Sequence, residues 1–444
     1  MRIWITLYSL TYTFLLIPWL VSALYRYLAE GKRVHLKQRM TLPKSLRRLP
    51  SAPGESRIWI HAVSVGEVNS IRPLADALNL TSSQLFISTT TDTGQALACQ
   101  LFQDRAHIFF FPLDWGWLCR RYLRAIRPSV ILIAETEIWP GFITSAAVLG
   151  VPIVIVNGRI SDRSFRRYRR VRRPMQPILD RVQRFCMQSN QDKKRMLELG
   201  AQKGRVHWIG NLKYDYDLPP SEEQLAVVEL ARRLLQKSPE DLIWVCGSTR
   251  EGEEELLLGT YIQLRQDFPQ LRLLMAPRHL RRSEVIEHLL QDRALPYARR
   301  SDFDLLSQEE LLQQECDVLI LDSIGELPFF YELGDIIFVG GSLVATGGHN
   351  IIEAAYFGRP VLVGPHMENF REIADTFLQA YGALQVQEPE QLEEKIRDLL
   401  RDAKAREWLG RNARKVIRDN QGAVQRTLEI VEHYLDRSGS ATSL

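Results

Sequence analysis

The chain has little cysteine and only a mild excess of positive charge. Its 444 residues contain five cysteines, at scattered positions and with no CxxC pair. This spacing argues against a disulfide framework or a structural zinc site and suits a reducing compartment. The formal net charge of +4 is too small to indicate wholesale nucleic-acid binding. No HExxH sequence, tandem repeat or low-complexity tract is present, and the length suffices for two domains.

The N-terminal segment lacks charge altogether. Residues 3–25 contain no charged side chain, and this uncharged segment is long enough to cross a bilayer. Six Lys and Arg residues follow over 26–44, against the single Arg2 before it, so the positive-inside rule predicts a cytoplasmic protein. We predict a membrane-anchor helix over residues 1–26 and a basic tether over 27–56. Pro18 leaves open a helix that lies in the interface, and a cleavable signal peptide is the disfavoured alternative.

From Arg57 onward, short apolar runs alternate with helix-like segments. Strands are predicted at 58–60, 85–88, 108–111, 130–134 and 153–156, and again at 242–246, 271–275, 318–321, 336–339 and 361–363. Helices are predicted at 68–78, 138–149, 389–401 and 421–436. This alternation is typical of parallel sheets that are covered on both faces. It predicts two doubly wound α/β domains, over 57–218 and 219–444, that face a ligand-binding cleft.

The stretch 340–365 follows one of these strands and is rich in glycine. It reads as strand, glycine loop, helix and strand, with Glu353 in the first turn of the helix. Backbone N–H groups of such a loop suit a phosphate, and Glu353 could accept hydrogen bonds from sugar hydroxyls. The alternative is a tight βα turn in which glycines serve packing and Glu353 serves the helix start.

Carboxylates follow two strands of the first domain. Glu67 opens a helix after the loop 61–66, which makes it a candidate general base; the alternative is a helix cap. Glu135 and Glu137 follow the fourth strand, with helix capping before Pro140 as their alternative role. The sequence around Ser64 is one residue away from a GxSxG nucleophile elbow, but a hydrolase would leave the second domain unexplained.

Basic residues indicate anionic partners. Arg278 and His279 follow a strand of the second domain and are candidate phosphate ligands, as are Ser248 and Thr249. The run 163–173 holds seven arginines with two interleaved aromatics, and it is interpreted as a solvated face, an RNA-binding segment or a lipid-docking segment. Two DxD sequences, at 215–217 and 302–304, lack the strand–helix context of a diphosphate–metal site, so no metal is expected.

Together these motifs resemble the 3-deoxy-D-manno-octulosonic acid (Kdo) transferases of lipopolysaccharide assembly. The matching segments are 61–67, 135–140, 210–215, 247–255, 276–279, 324–327 and 340–365, in the family's order and over nearly the whole chain. The resemblance implies a GT-B glycosyltransferase with two Rossmann-like domains. The last helix of the chain would pack back on the N-terminal domain. It implies inverting transfer of Kdo from CMP-Kdo to a lipid A precursor (lipid IVA) at the inner membrane, without a metal, a cofactor or nucleic acid.

The resemblance also implies roles for particular residues. Glu67 looks like the base, and Glu135 and Lys213 look like the groups that stabilise the transition state. The CMP site would comprise Pro277, Arg278, Gly325, Glu326, Leu327, Asn350, Ile351, Ile352 and Glu353. The chain departs from the family at Arg250, where many relatives have His, and at Ile351–Ile352, where a Pro-Leu pair is often seen. The alternatives are a GT-B transferase or epimerase that uses a UDP-sugar, and a membrane-anchored binding module without chemistry.

Overall fold

A computed structural model describes most of the chain. The described residues are Tyr8, Thr11, Thr13, Phe14 and residues 35–47, 49, 56–78, 83–215 and 220–440. The chain forms two compact units: unit 1 comprises Met1–Asp215 and Gln421–Leu444, and unit 2 comprises Tyr216–Asn420. The sequence places this division after residue 218.

The predicted anchor over 1–26 lies outside the described residues apart from four positions. Among the helices that the structure describes, none is long and apolar enough to cross a bilayer. Part of the predicted tether, 35–47, packs onto unit 1 instead of running free. Its Leu42 and Leu46 are buried in the core of that unit, and Tyr122 donates a hydrogen bond to the carbonyl of Thr41 at 2.8 Å.

Unit 1 is built on a parallel sheet of seven strands. The strands are β1 (Ser56–His61), β2 (Ser83–Thr89), β3 (Ala106–Phe110), β4 (Val130–Ala134), β5 (Ile153–Gly158), β6 (Arg184–Met187) and β7 (Val206–Trp208). Their order is β3-β2-β1-β4-β5-β6-β7, so consecutive connections run in opposite directions on either side of β1. In such a sheet the loops after β1 and β4 diverge at their carboxyl ends and leave room for a ligand.

Helices cover both faces of this sheet because its central strands are apolar on both faces. The helices are α1 (Leu36–Met40), α2 (Val65–Ala77), α3 (Asp92–Phe102), α4 (Gly116–Ile126), α5 (Pro140–Val148), α6 (Asp162–Arg170), α7 (Arg172–Leu179), α8 (Asn190–Glu198) and the last helix of the chain, α18 (Ala423–Ser440). Trp59 of β1 lies in one core cluster, whereas Ile58 and Ile60 lie in the other. Leu428 and Val431 of α18 belong to this second cluster.

Unit 2 repeats the architecture. Its strands are β8 (Leu242–Thr249), β9 (Leu271–Pro277), β10 (Tyr297–Arg299), β11 (Val318–Ile320), β12 (Ile336–Val339), β13 (Val361–Val363) and β14 (Ala383–Gln385), in the parallel order β10-β11-β9-β8-β12-β13-β14. Its helices are α9 (Glu222–Leu235), α10 (Glu254–Asp267), α11 (Ser283–Gln291), α12 (Gln308–Gln313), α13 (Leu327–Phe330), α14 (Ile351–Ala355), α15 (Arg371–Gln379), α16 (Pro389–Arg401) and α17 (Ala403–Asn420). The prediction of two doubly wound α/β domains is confirmed.

Candidate active site

Glu67 lies in the first turn of α2, directly after the loop that leaves β1. One carboxylate oxygen accepts the N–H of Val63 at 2.8 Å, and the other accepts the hydroxyl of Ser64 at 3.3 Å. Ser64 is the N-cap of the helix, so Glu67 takes the position of a capping carboxylate. The residue is only 7% exposed. These two contacts hold the side chain of Glu67 against the residues that precede α2.

The electrostatics of Glu67 nevertheless suit a base. Burial raises the pKa of Glu67 to about 8; the Val63 N–H opposes this rise, while the charges of Glu135 and Glu137 add to it. A carboxyl group with such a pKa is mostly protonated at neutral pH and ionises just above it. General bases work best when their pKa lies near the operating pH. Glu67 is therefore both a carboxylate in the first turn of α2 and a group whose pKa suits a general base.

Glu135 and Glu137 come from the loop that follows β4, the strand next to β1. Glu135 has a left-handed backbone (φ 52°), and its N–H donates to the carbonyl of Val156 at 2.9 Å. Burial and the charge of Glu135 raise the pKa of Glu137. Because both carboxylates act on the pKa of Glu67, the structure brings these three acidic side chains together.

Lys213, the third predicted catalytic residue, lies in a short turn (Leu212–Tyr214) against α2, the helix that carries Glu67. The Asn211 side chain accepts the Lys213 N–H at 3.0 Å, and the Leu212 N–H donates to the side chain of Asn157 at the same distance. The side chains of Asn211 and Asn157 thus fix this turn, which packs against α2.

Two supporting residues of this site are absent from the sequence-based prediction. His61, at the end of β1, is fully buried, stacks on Phe111 with ring centroids 3.9 Å apart, and has its pKa lowered to about 3 by burial. Asp114 accepts the N–H groups of Gly141 and Phe142 at 2.9 and 2.6 Å, and so holds the start of α5 just after the Glu135 loop. The only sequence signal for Asp114 is a carboxylate shortly after a strand, far from the helix that it caps.

The donor-side residues of unit 2 gather after the neighbouring strands β8 and β9. Arg250 follows β8, and Arg278 follows β9 and donates its N–H to the carbonyl of Thr249 at 2.9 Å. The Arg250 guanidinium contacts two imidazoles: Nε donates to His349 Nε2 at 3.3 Å, and Nη1 lies 2.7 Å from His279 Nε2. Arg278 is exposed, whereas the preceding Pro277 is buried.

The first residues of the glycine loop after β12 are held by a buried carboxylate. The side chain of Glu253 accepts four N–H groups at 2.7, 3.0, 2.9 and 2.9 Å, those of Gly341, Ser342, Leu343 and Arg250. These four amides are therefore occupied within the protein. The prediction that N–H groups of this loop bind a phosphate then falls on the later part of the loop, at the start of α14.

The segment 350–353 opens α14. Asn350 caps this helix by accepting the Ile352 N–H at 3.2 Å, and its side-chain amide donates to Glu353 at 2.9 Å. Ile351 and Ile352 are fully buried, so of the predicted donor-binding residues these two can contact a ligand only through their backbone. The charge of Glu353 adds to the effect of burial in raising the pKa of Tyr331, which places the carboxylate near that phenol.

The segment 325–327 borders a separate feature of unit 2. Gly325 has a positive φ of 87°, and Glu326 accepts a hydrogen bond from Arg300 at 2.9 Å. Arg300, Glu326 and Asp322 line a cavity of about 430 Å³ that also reaches the start of α9 at Ser221. Leu327 begins α13, which leads to Tyr331 and so connects this cavity to the neighbourhood of Glu353.

The two DxD sequences are engaged in structural contacts. Asp215 accepts the N–H groups of Gly422 and Val424 at 2.5 Å each, whereas Asp217 lies outside the described residues. Asp302 accepts the Arg299 N–H at 2.8 Å, and Asp304 pairs with Arg300. Among the described residues, no group of three or more His, Cys, Asp and Glu side chains could hold a metal ion.

The arginine run forms α6 and the start of α7. Its seven arginines are all exposed, while Phe165 and Tyr168 pack against the core of unit 1. The two rings are half-buried against the core, which leaves less of their surface for stacking on RNA bases. Burial, together with the charge of Glu137, raises the pKa of Tyr168, so the inner side of this helix lies close to the acidic group around Glu67.

Comparison with known proteins assigns both units. A family model described as 3-deoxy-D-manno-octulosonic-acid transferase (kdotransferase) matches residues 34–216, and one described as glycosyl transferases group 1 matches residues 298–416. The fold is shared with a glycosyltransferase from Rickettsia africae, with a TM-score of 0.55, 14% identity, and coverage of 86% of this chain and 99% of that one. The fold and the two matches define a glycosyltransferase of the GT-B fold.

Proteins of similar sequence identify the family within the GT-B glycosyltransferases. The chain is 35% identical over 391 residues to the 3-deoxy-D-manno-octulosonic acid transferase of Haemophilus influenzae, covering 87% of this chain and 89% of that protein. It is 32% identical over 392 residues to the transferase of the same name from Bordetella pertussis, covering 86% and 89%. The chain belongs to the 3-deoxy-D-manno-octulosonic acid transferase family, and the resemblance stated from its motifs is confirmed.

Proposed function

We propose that this enzyme transfers Kdo from CMP-Kdo to a hydroxyl group of a lipid A precursor, with inversion at the anomeric carbon and without a metal or cofactor. The observation that carries the catalytic part is the buried Glu67 carboxyl group, whose pKa of about 8 is set by burial and by two neighbouring carboxylates. Family membership supports the transferred sugar.

In the proposed reaction, the acceptor oxygen forms a bond to the anomeric carbon of Kdo while the bond from that carbon to the phosphate oxygen breaks. The electron pair of the broken bond leaves with CMP, and the hydroxyl proton goes to ionised Glu67. Neutralising Glu67 also relieves its repulsion with Glu135 and Glu137, which favours proton uptake. Lys213 and Arg278 are the cations assigned to oppose the charge that develops on the departing phosphate.

The proposal also includes the acceptor, a lipid-borne molecule with anionic groups. The exposed arginines of α6 and α7 form a cationic face whose inner side lies close to Glu137. Such a face suits an acceptor with anionic groups at a membrane surface, where each basic residue contributes on the order of 1 kcal/mol. Trp115 and Trp117 stack with ring centroids 6.1 Å apart, and Trp117 is 54% exposed, as suits the interfacial zone of a membrane. These observations support the proposal that the enzyme acts at the inner membrane with both units in the cytoplasm.

The direct test is to incubate the purified full chain with CMP-Kdo and a tetraacyl lipid A precursor. The molecular mass of the lipid product is then measured by mass spectrometry. The proposal predicts a mass increase of one or more Kdo residues that depends on CMP-Kdo. A parallel incubation with UDP-N-acetylglucosamine tests the alternative donor. Transfer from, or epimerisation of, the UDP-sugar in the absence of any reaction with CMP-Kdo would contradict the proposal.

A further inference from the structure

The structure places the Arg250 side chain in contact with two histidines. The guanidinium contacts the imidazoles of His349 and His279 through two of its nitrogens. Burial, together with the nearby arginines, lowers the pKa of His349 to about 4, and burial with the same arginines lowers the pKa of His279. Both imidazoles are therefore neutral near pH 7, so they orient Arg250 without cancelling its charge.

Arg282, a neighbouring arginine, differs from Arg250 because it is paired with a carboxylate. Arg282 forms a forked pair with Glu254, with N–O distances of 2.9 and 3.1 Å, so its charge is neutralised within the protein. Among the described residues, neither Arg250 nor Arg278 forms such a pair with a carboxylate. Glu253 favours the charged form of Arg250, but its two oxygens already accept four backbone N–H groups.

Arg250 and Arg278 also lie close together. Thr249 and Pro277 are paired across β8 and β9, and each arginine directly follows the last residue of its strand. After burial, the charge of Arg278 is the next cause that lowers the pKa of Arg250, so the two cations repel each other at rest. Two neighbouring cations that lack a paired carboxylate gain free energy when an anion binds to both of them.

We propose that Arg250, oriented by His349 and His279, acts with Arg278 to bind an anionic group of the sugar-nucleotide donor, either its phosphate or the carboxylate of its sugar acid. This assignment rests on the proposed function, and it does not involve the amides of Gly341, Ser342 and Leu343, which Glu253 already accepts. Arginine suits either anion because its planar fork can make two parallel hydrogen bonds. It extends the predicted donor site to Arg250.

The test measures dissociation constants by calorimetry for cytidine, CMP and CMP-Kdo, without acceptor, in the wild type and in Arg250→Gln. If the phosphate is the bound anion, Arg250→Gln weakens CMP binding by about 10- to 100-fold and leaves cytidine binding unchanged. If the carboxylate is bound, CMP binding is unchanged and the advantage of CMP-Kdo over CMP is lost. Arg250→Lys, which keeps the charge and loses the fork, should give an intermediate effect.

The matched control is Arg401→Gln, which removes one exposed arginine from the end of α16 in the same unit and should change none of these constants. Unchanged constants in Arg250→Gln, with an unaltered unfolding temperature, would overturn the assignment. Uridine and UDP are measured in parallel. If the wild type binds UDP and not CMP, the proposed donor is wrong while the role of Arg250 is still read from the ratio of UDP to uridine affinity. A wild type that binds neither nucleotide would overturn both proposals.

Discussion

Glu67 combines two roles that move its pKa in opposite directions. In the first turn of α2 it accepts the N–H of Val63 from the preceding loop, which favours the carboxylate. Burial and the charges of Glu135 and Glu137 favour the neutral acid, and they prevail, since the pKa rises to about 8. A carboxyl group that ionises near neutral pH is suited to act as a general base.

The first prediction concerns the pH dependence of transfer. If Glu67 is the base, the rate rises as pH increases through about 8, because only the ionised form takes a proton. Glu135→Gln removes a charge that raises the pKa of Glu67, so this rise should move to lower pH while the maximal rate falls. Glu198→Gln, an exposed carboxylate in the same unit, is the control. A rise that stays at the same pH in Glu135→Gln would contradict the assignment of the base.

The second prediction concerns stability. The pKa of Glu67 rises from 4.5 to about 8 on folding, so the folded state holds its proton more tightly than the unfolded state. Stability is therefore lost as pH increases from the lower value to the higher one. Glu67→Gln should be more stable than the wild type near pH 9, by on the order of 3 kcal/mol, and equally stable near pH 4. Denaturant unfolding at both pH values measures this, and equal stabilities near pH 9 would refute it.

Among the elements, the glycine loop after β12 shows where sequence reasoning reaches its limit. The order of strand, loop, helix and strand over 340–365 is read correctly from local residues. The partner of the loop is Glu253, which is 88 residues away from Gly341 in the chain. No local pattern reveals that pairing. The same holds for Asp114, which caps α5 from 27 residues away.

The third prediction tests this loop. Glu253→Ala leaves several buried N–H groups without an acceptor, each at a cost of about 1–3 kcal/mol, so the free energy of unfolding of unit 2 should fall by about 3–5 kcal/mol. Hydrogen exchange at residues 341–343 should accelerate with it. Glu255→Ala, on the same helix but exposed and paired with Arg293, should change stability by less than about 1 kcal/mol. Unchanged exchange in Glu253→Ala would contradict this account of the loop.

The strands that the sequence predicts and those that it misses differ in their position within the sheets. Each of the ten predicted strands is present. The four that the sequence-based prediction misses are Arg184–Met187, Val206–Trp208, Tyr297–Arg299 and Ala383–Gln385. They lie at or next to sheet edges, where a strand is partly exposed and its short apolar pattern is broken by polar residues. Helix α17 is missed for a related reason, because its apolar stripe is narrow and most of its residues are charged or polar.

For the whole molecule, chain order and spatial order differ at the C-terminus. The last helix, α18, belongs to unit 1, although all of unit 2 precedes it in the sequence. Both oxygens of Asp215, at the end of the first part of unit 1, accept N–H groups at the start of this helix. Val431 then packs among the residues of the second core cluster of unit 1. The last segment of unit 1 is therefore synthesised only after all of unit 2.

The fourth prediction follows from this arrangement. Val431→Asp places a charge in the core of unit 1 and should lower the stability of that unit by several kcal/mol. Hydrogen exchange should accelerate in α2 and β1, far away in the sequence, before it changes in the strands of unit 2. The adjacent exposed substitution Glu432→Ala serves as the control and should have little effect. Faster exchange confined to unit 2 would contradict the assignment of α18.

The central claim is that Glu67 removes the proton of the acceptor while separate residues hold the nucleotide. The most direct measurement compares transfer from CMP-Kdo and calorimetric CMP binding in Glu67→Gln and in the wild type. The account predicts that transfer falls by about 100- to 10,000-fold, the usual contribution of a general base, while the dissociation constant of CMP stays the same. Transfer at the wild-type rate, or a loss of CMP binding in parallel with transfer, would contradict it.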